Sequence, residues 1–292
     1  MTNDLESISL IATYSAMAVY TLSFILFTVD LAGRAASEGQ SKPTRWLRSA
    51  MALLILAWVI HFGADVTRAI SAHRVPWANM YEFGLTATFV LVGVFLGINI
   101  WRDVRFVGSF VSGFALLALG IVTVNFYVAV TPLPPALQDY WLVIHVCVAV
   151  LGTGFFATGA ALSAAQLFQE SREAGQLQTR SWRFLSAFPT SESLEALAYR
   201  ILVIGFVFWT FTLIAGAIWA ERAWGRYWGW DTKEVWTFII WVLFAGYIHA
   251  RATRGWRGRP AAILSLIGFG AVVFNYSIVN LFFKGLHVYS GL

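Results

Sequence analysis

The residues of this 292-residue chain best suited to chemistry are five histidines and one run of aromatics. The run, Trp224 to Trp236, reads W-G-R-Y-W-G-W-D-T-K-E-V-W. It puts four tryptophans and Tyr227 among Arg226, Asp231, Lys233 and Glu234 within thirteen residues. So many flat faces beside mixed charge suit a large, flat, partly charged ligand. Neutral imidazole is a common iron ligand, so histidines flanking such a surface could ligate a haem. A histidine bonded only to a backbone carbonyl would be a packing residue instead. The one cysteine, Cys147, excludes an internal disulfide, a CxxC redox pair and a multi-cysteine metal site. Lying in an apolar run, it reads as a small hydrophobe.

These residues must be held by membrane helices. The chain is 59% hydrophobic and 12% charged, against roughly 25% charge in a soluble domain, and its mean hydropathy is +0.69. Runs of about 20 apolar residues recur, each long enough to span a bilayer. The spacing predicts an all-α polytopic membrane protein with eight spans, near 8–33, 48–70, 81–101, 106–129, 142–169, 201–222, 234–253 and 260–283. The chain reads as one integral membrane domain, 1–292. The acidic start, Met1 to Glu6, lacks the basic opening of a cleaved signal peptide, so the first run is expected to stay as a helix. Fourteen of the 20 Lys and Arg lie in loops after helices one, three, five and seven. By the positive-inside rule both termini are then outside the cytoplasm. The net charge of +5 reflects those loops and is no nucleic-acid signal. The inner loop 170–200 is polar and partly helical, with a helix start at Ser191-Glu192-Ser193. No Walker, GxGxxG or repeat signature occurs.

This topology sorts the histidines. The outer side holds the loop His73 to Glu82, the Pro-rich turn Thr131 to Pro135 leading to Tyr140, Trp141 and His145, the aromatic run, and the tail Lys284 to Tyr289. His145 and His287, on separate helices beside the aromatic run, could ligate a haem from its two faces; each could equally be an interfacial histidine bonded to a carbonyl. His249 is eighteen residues beyond Asp231, about 27 Å along a helix. It cannot share a site with the other two. Within a span it is a functional candidate by default, and its alternative is a headgroup-facing residue at the inner interface. His61 has Asp65 one turn on, as either a buried pair or an oriented ligand. His73 reads as a solvated loop residue. Asp231 and Glu234 fit a capping box opening helix seven. The tryptophans exceed what an aromatic belt needs, and Gly225 and Gly229 would let the backbone approach a ligand.

On these residues the chain resembles a family. Trp224 to Arg251 looks like the WWD haem-handling signature of cytochrome c-type biogenesis proteins of the CcsA/ResC (CcsB) type, from the system II pathway. Pro76, Asn79, Tyr81 and Glu82 match that family's P-x-x-N-x-Y-E loop. Ile144-His145-Val146 matches its first external histidine, and Gly285, His287 and Tyr289 match its G-x-H-x-Y element. Thr232 departs from the family's usual proline, at a first helical position where proline only pre-sets φ.

The resemblance implies a membrane subunit of a holocytochrome c synthase that presents haem b at the outer face for thioether attachment to CxxCH of apocytochrome c. It implies His145 and His287 as axial ligands of the outer haem, Trp224, Trp228, Trp230, Asp231 and Trp236 as its cradle, and His249 at an inner haem. Arg226 and Lys233 could meet the propionates or be solvated interfacial charges. The implied partners are a companion CcsB/ResB-type subunit, apocytochrome c and thiol-reducing proteins. The implied location is a bacterial plasma or thylakoid-type membrane. Two other readings stay open: a haem chaperone or exporter serving a carrier, and a cytochrome b-like redox protein.

Overall fold

A computed structural model describes residues 2–36, 44–133, 137–177, 179–283 and 285–286. Among them are eight helices long and apolar enough to cross a membrane. They are α1 (Thr2–Ala36), α2 (Arg45–Ala72), α3 (Met80–Trp101), α4 (Gly108–Asn125), α5 (Tyr140–Glu173), α6 (Ser191–Trp224), α7 (Thr232–Thr253) and α8 (Arg259–Phe274). A π turn, Asn275–Val279, and a last α turn, Asn280–Phe282, continue α8. The eight expected spans correspond to these helices one for one.

The helix ends differ from expectation where polar chemistry overrides hydropathy. α6 starts at Ser191 because Thr190 caps it, its Oγ1 accepting the Ser193 N–H at 3.4 Å. Glu173, at the end of α5, accepts from the Ser191 N–H at 3.1 Å. Both helices therefore run well past their apolar stretches. α4 stops early, at Asn125, where β-branched and aromatic residues take over. Its last turn closes with Phe126 N–H donating to the Val122 carbonyl at 3.1 Å.

The helices gather into two compact units. Short connections favour antiparallel neighbours, and four helices suffice to enclose a core. In the first unit α1 packs on α2 and α4, and α3 packs on the same two, closing a ring. The 3₁₀ segment Arg180–Ala187 joins this unit against α1, with Phe184 and Phe188 meeting Phe110. In the second unit α5 packs on α6 and α8, and α7 packs on the same two. Its centre is a stack of Phe156 on Phe244, ring centroids 3.7 Å apart. Two tryptophans tie α6 to α7. Trp209 Nε1–H donates to the Thr237 carbonyl at 3.1 Å, and Trp241 Nε1–H donates to Thr210 Oγ1 at 3.0 Å. Buried indoles need such partners.

The π turn has a local consequence. Lys233, in the first turn of α7, sends Nζ inward to the Asn275 carbonyl at 3.0 Å and to Asn280 Oδ1 at 2.5 Å. It also sits 5.0 Å from the Tyr276 ring centre. A π bulge opens the helical ladder, and here the lysine takes a carbonyl at its start. The end of α8 is thereby fastened to the start of α7.

Candidate functional site: an imidazole, an aromatic loop and the tail

In the second unit α5 and α7 begin at the end where α6 and α8 finish. His145, in the second turn of α5, turns its half-buried ring onto α6. Its Nδ1 lies 3.0 Å from the Thr212 carbonyl. A carbonyl only accepts, so Nδ1 carries the proton and Nε2 carries the lone pair. This is the arrangement by which metal-binding histidines are usually oriented. The two readings of His145 from sequence, carbonyl-bonded or ligand, are thus compatible. The ring also stacks on Trp219, centroids 5.9 Å apart and planes at 18°. It sits over Gly216, where an added Cβ would come within 2.8 Å of Cε1 and Nδ1. Trp219 is 1% exposed and meets Trp224 edge-on at 4.8 Å. A line of ring contacts therefore runs from His145 to the first tryptophan of the aromatic run.

The run itself is a tight loop between α6 and α7. Gly225 ends α6 at φ 69°, with its N–H on the Glu221 carbonyl at 2.7 Å. Asp231 caps α7 and forms the expected capping box with Glu234. One oxygen of Glu234, Oε2, accepts both the Gly229 N–H (2.8 Å) and the Asp231 N–H (3.0 Å). Those two amides flank Trp230, which stands at φ 60° and is 76% exposed. A bulky residue in the left-handed region is strained, so the carboxylate below it holds an indole outward that the backbone alone would not. Trp228 meets Trp230 edge-on at 5.9 Å, planes at 89°. Trp236 instead packs on Phe274, at 4.3 Å.

Two expectations change here. The glycines serve the loop's own fold: Gly225 supplies the helix-ending turn, and the Arg226 guanidinium fills the place of a Gly229 Cβ. Lys233 is committed inside the unit, so it is neither a solvated charge nor a group facing outward toward a ligand.

The tail returns to this loop. Asp231 Oδ1 accepts the Lys233 N–H at 2.9 Å, and Oδ2 accepts the Leu286 N–H at 2.9 Å. Gly285 packs against the same carboxylate. His287 and Tyr289 lie outside the described residues. What the structure brings together is His145, the aromatic loop and the two residues that lead into His287.

The other histidines separate. His249 is exposed on the surface of the unit, near the end of α7 opposite the aromatic loop. Thr253 Oγ1 donates to its carbonyl at 2.7 Å and lies 3.3 Å from Nε2. With the hydroxyl proton on the carbonyl, Nε2–H is the donor to the threonine oxygen. His61 is fully buried in the first unit. Its ring is held by the Leu85 carbonyl (3.1 Å) and the Tyr20 hydroxyl (3.4 Å). Asp65 stands 3.9 Å away and accepts from Thr86 Oγ1 at 3.0 Å. The imidazole is therefore satisfied mainly by other groups than its expected partner. His73 is exposed and ends α2 in a left-handed turn, φ 52°.

The loop P-W-A-N-M-Y-E is a structural clamp. Asn79 Oδ1 caps α3 by accepting the Glu82 N–H at 2.9 Å. Glu82, 0% exposed, accepts from Arg68 Nε (3.0 Å), Arg74 Nη1 (2.5 Å) and the Ala78 N–H (3.0 Å).

A family model described as cytochrome c assembly protein matches residues 77–287. The chain belongs to the cytochrome c assembly protein family. Its similarity is to the CcsA members, named cytochrome c biogenesis proteins. The chain is 34% identical to CcsA of Trieres chinensis over 265 residues, 82% of this chain and 85% of that one. It is 35% identical to CcsA of Synechococcus elongatus over 289 residues, 82% of this chain and 85% of that one. The fold is also that of a solved protein, cytochrome c haem lyase CcmF, with a TM-score of 0.65 at 17% identity. That match covers 93% of this chain but 46% of CcmF.

Within this CcsA-type chain, three residues of the candidate site that contact His145 were not apparent from the sequence: Thr212, Gly216 and Trp219. Their signal was available. They recur at i, i+4 and i+7 on one face of α6. What was missing is that this face meets His145, which only the packing of α5 on α6 supplies.

Proposed function

We propose that this chain is the haem-presenting membrane subunit of a cytochrome c synthase. The haem it holds is a substrate. His145 is one axial ligand, and His287 supplies the other from the tail. Trp224, Trp228 and Trp230 line the haem, and Trp236 and Asp231 hold the wall in place. The site faces the outer side of a bacterial plasma or thylakoid-type membrane, and the histidine-bearing tail lies with it. His249 belongs to a separate, inner haem. Its exposed position suits a ligand shared with a companion CcsB/ResB-type subunit.

The observation that carries this reading is His145: the Thr212 carbonyl leaves its lone pair on Nε2, and a line of ring contacts leads from it to the aromatic loop. The fold shared with a haem lyase supports it.

The attachment itself is addition of each CxxCH thiol across a haem vinyl group. A carbon–sulfur bond forms, the thiol proton ends on the neighbouring carbon, and no electrons are gained or lost. The nucleophile is the thiolate of the client, which thiol-reducing partners keep available. This chain contributes position, iron ligation and exclusion of water. Co-expression with a companion subunit, followed by haem content, visible spectrum and covalent cytochrome c yield, tests the proposal. His145→Ala and His287→Ala are each expected to lose the outer bis-histidine spectrum and the cytochrome. Full haem and full cytochrome in the double variant would refute it.

A further inference from the structure

We propose that Asp231 is a positioning residue that latches the C-terminal tail to the aromatic loop and so sets where His287 starts. The inference rests on the haem-site reading above. Sequence places Asp231 among ligand-lining residues or explains it as a cap, and neither role accounts for its second oxygen. Oδ1 meets the cap by accepting the Lys233 N–H. Oδ2 accepts the N–H of Leu286, 55 residues away. His287 is the next residue, one Cα step of about 3.8 Å along the chain.

Three features of the chain fit a latch. An N-cap alone needs one acceptor, and Ser, Thr or Asn would serve. Only a carboxylate offers an acceptor oxygen to each of two separate amides. Next, Gly285 lies against the same carboxylate so closely that any Cβ would collide with Oδ2. A side chain at position 285 would push the carboxylate away from its place at the Leu286 amide. Finally, the frame under the latch is fixed. Lys233 joins the start of α7 to the Asn275 carbonyl and Asn280, and Glu234 fixes the amide of Asp231 itself. The latch thus links the two elements that a ligand would need together: the tryptophan loop and the histidine-bearing tail.

Asp231→Asn tests this cleanly. The amide keeps one acceptor oxygen for the cap and has none left for Leu286. Gly285→Ala attacks the latch from the other side, its methyl pressing mainly on Oδ2 and leaving the Asp231 side chain itself in place as the cap. The first measurement is hydrogen exchange at the Leu286 amide in the haem-free full chain in nanodiscs. The amide is expected to be protected in the parent and to exchange at least about tenfold faster in both variants, the change that loss of a hydrogen bond to a charged acceptor gives. The second is the visible spectrum of the haem-loaded complex. Both variants should lose low-spin bis-histidine signal, and added imidazole should restore it, as it would for a displaced ligand but not for a collapsed site. Unchanged Leu286 exchange in Asp231→Asn and Gly285→Ala overturns the latch. Faster exchange with an unchanged spectrum overturns the positioning role. If exchange follows Asp231 while His145→Ala and His287→Ala retain all haem, the haem-site reading fails and the tether itself is upheld.

Discussion

Gly216→Ala separates ligand positioning from folding, because the two should move in opposite directions. Gly216 is inside α6, where alanine is favoured over glycine by about 1 kcal/mol. On stability alone the variant should be neutral or better. The new methyl, however, would lie 2.8 Å from Cε1 and Nδ1 of His145, short of ordinary contact at 3.4 Å by about 0.6 Å. A retreat of that size straight back from α6 stretches the 3.0 Å bond between Nδ1 and the Thr212 carbonyl to about 3.6 Å, beyond a hydrogen bond. The imidazole then loses its fixed tautomer as well as its orientation. Losing an outer-shell partner typically costs about 10–100-fold in metal affinity. The assays are haem titration of the purified complex and a thermal melt of the same preparation. The expected result is weaker haem binding at unchanged or raised melting temperature. Unchanged affinity in Gly216→Ala, where His145→Ala abolishes binding, would refute the idea that α6 sets the ligand.

Trp230→Gly should relieve left-handed strain worth about 1–2 kcal/mol, partly offset by glycine's unfolded-state entropy. The chain should melt slightly higher while haem binding weakens; a large loss of stability would show that this indole is packed and not presented. Glu82→Gln leaves Arg68 and Arg74 without their buried carboxylate, a kind of break that costs about 3–5 kcal/mol. It should lower the denaturation midpoint sharply, and an unchanged midpoint would contradict the clamp. Thr253→Val removes the oxygen that His249 Nε2–H engages. If iron at the inner site takes Nε2, haem there should bind about fivefold tighter, the worth of one hydrogen bond near 1 kcal/mol, and looser binding would show that the threonine supports the ligand.

Much of the architecture was legible in the sequence. Eight apolar runs gave eight helices because hydropathy over about 20 residues is a bulk property that no tertiary contact overrides. The capping box at Asp231 and Glu234 was legible for a similar reason: its two hydrogen bonds span only three residues. The helix ends were less so, since Thr190 and Glu173 extend α6 and α5 through polar bonds that hydropathy does not weigh.

The sequence by itself determined the membrane class, the helix count, the local turn at Asp231 and the residue types able to meet a flat, metal-bearing ligand. Tertiary structure decided what each of those residues does. It gave His145 a carbonyl and an indole from α6, took Lys233 inside, satisfied His61 with Leu85 and Tyr20, and left His249 on the surface. It also gave Asp231 a second partner from the tail. The physical reason is common to all but His249, whose partner Thr253 is on its own helix. For the other four, a side chain's role is set by which donor or acceptor from a distant part of the chain completes its hydrogen bonds, and periodicity along one helix does not say which part that will be.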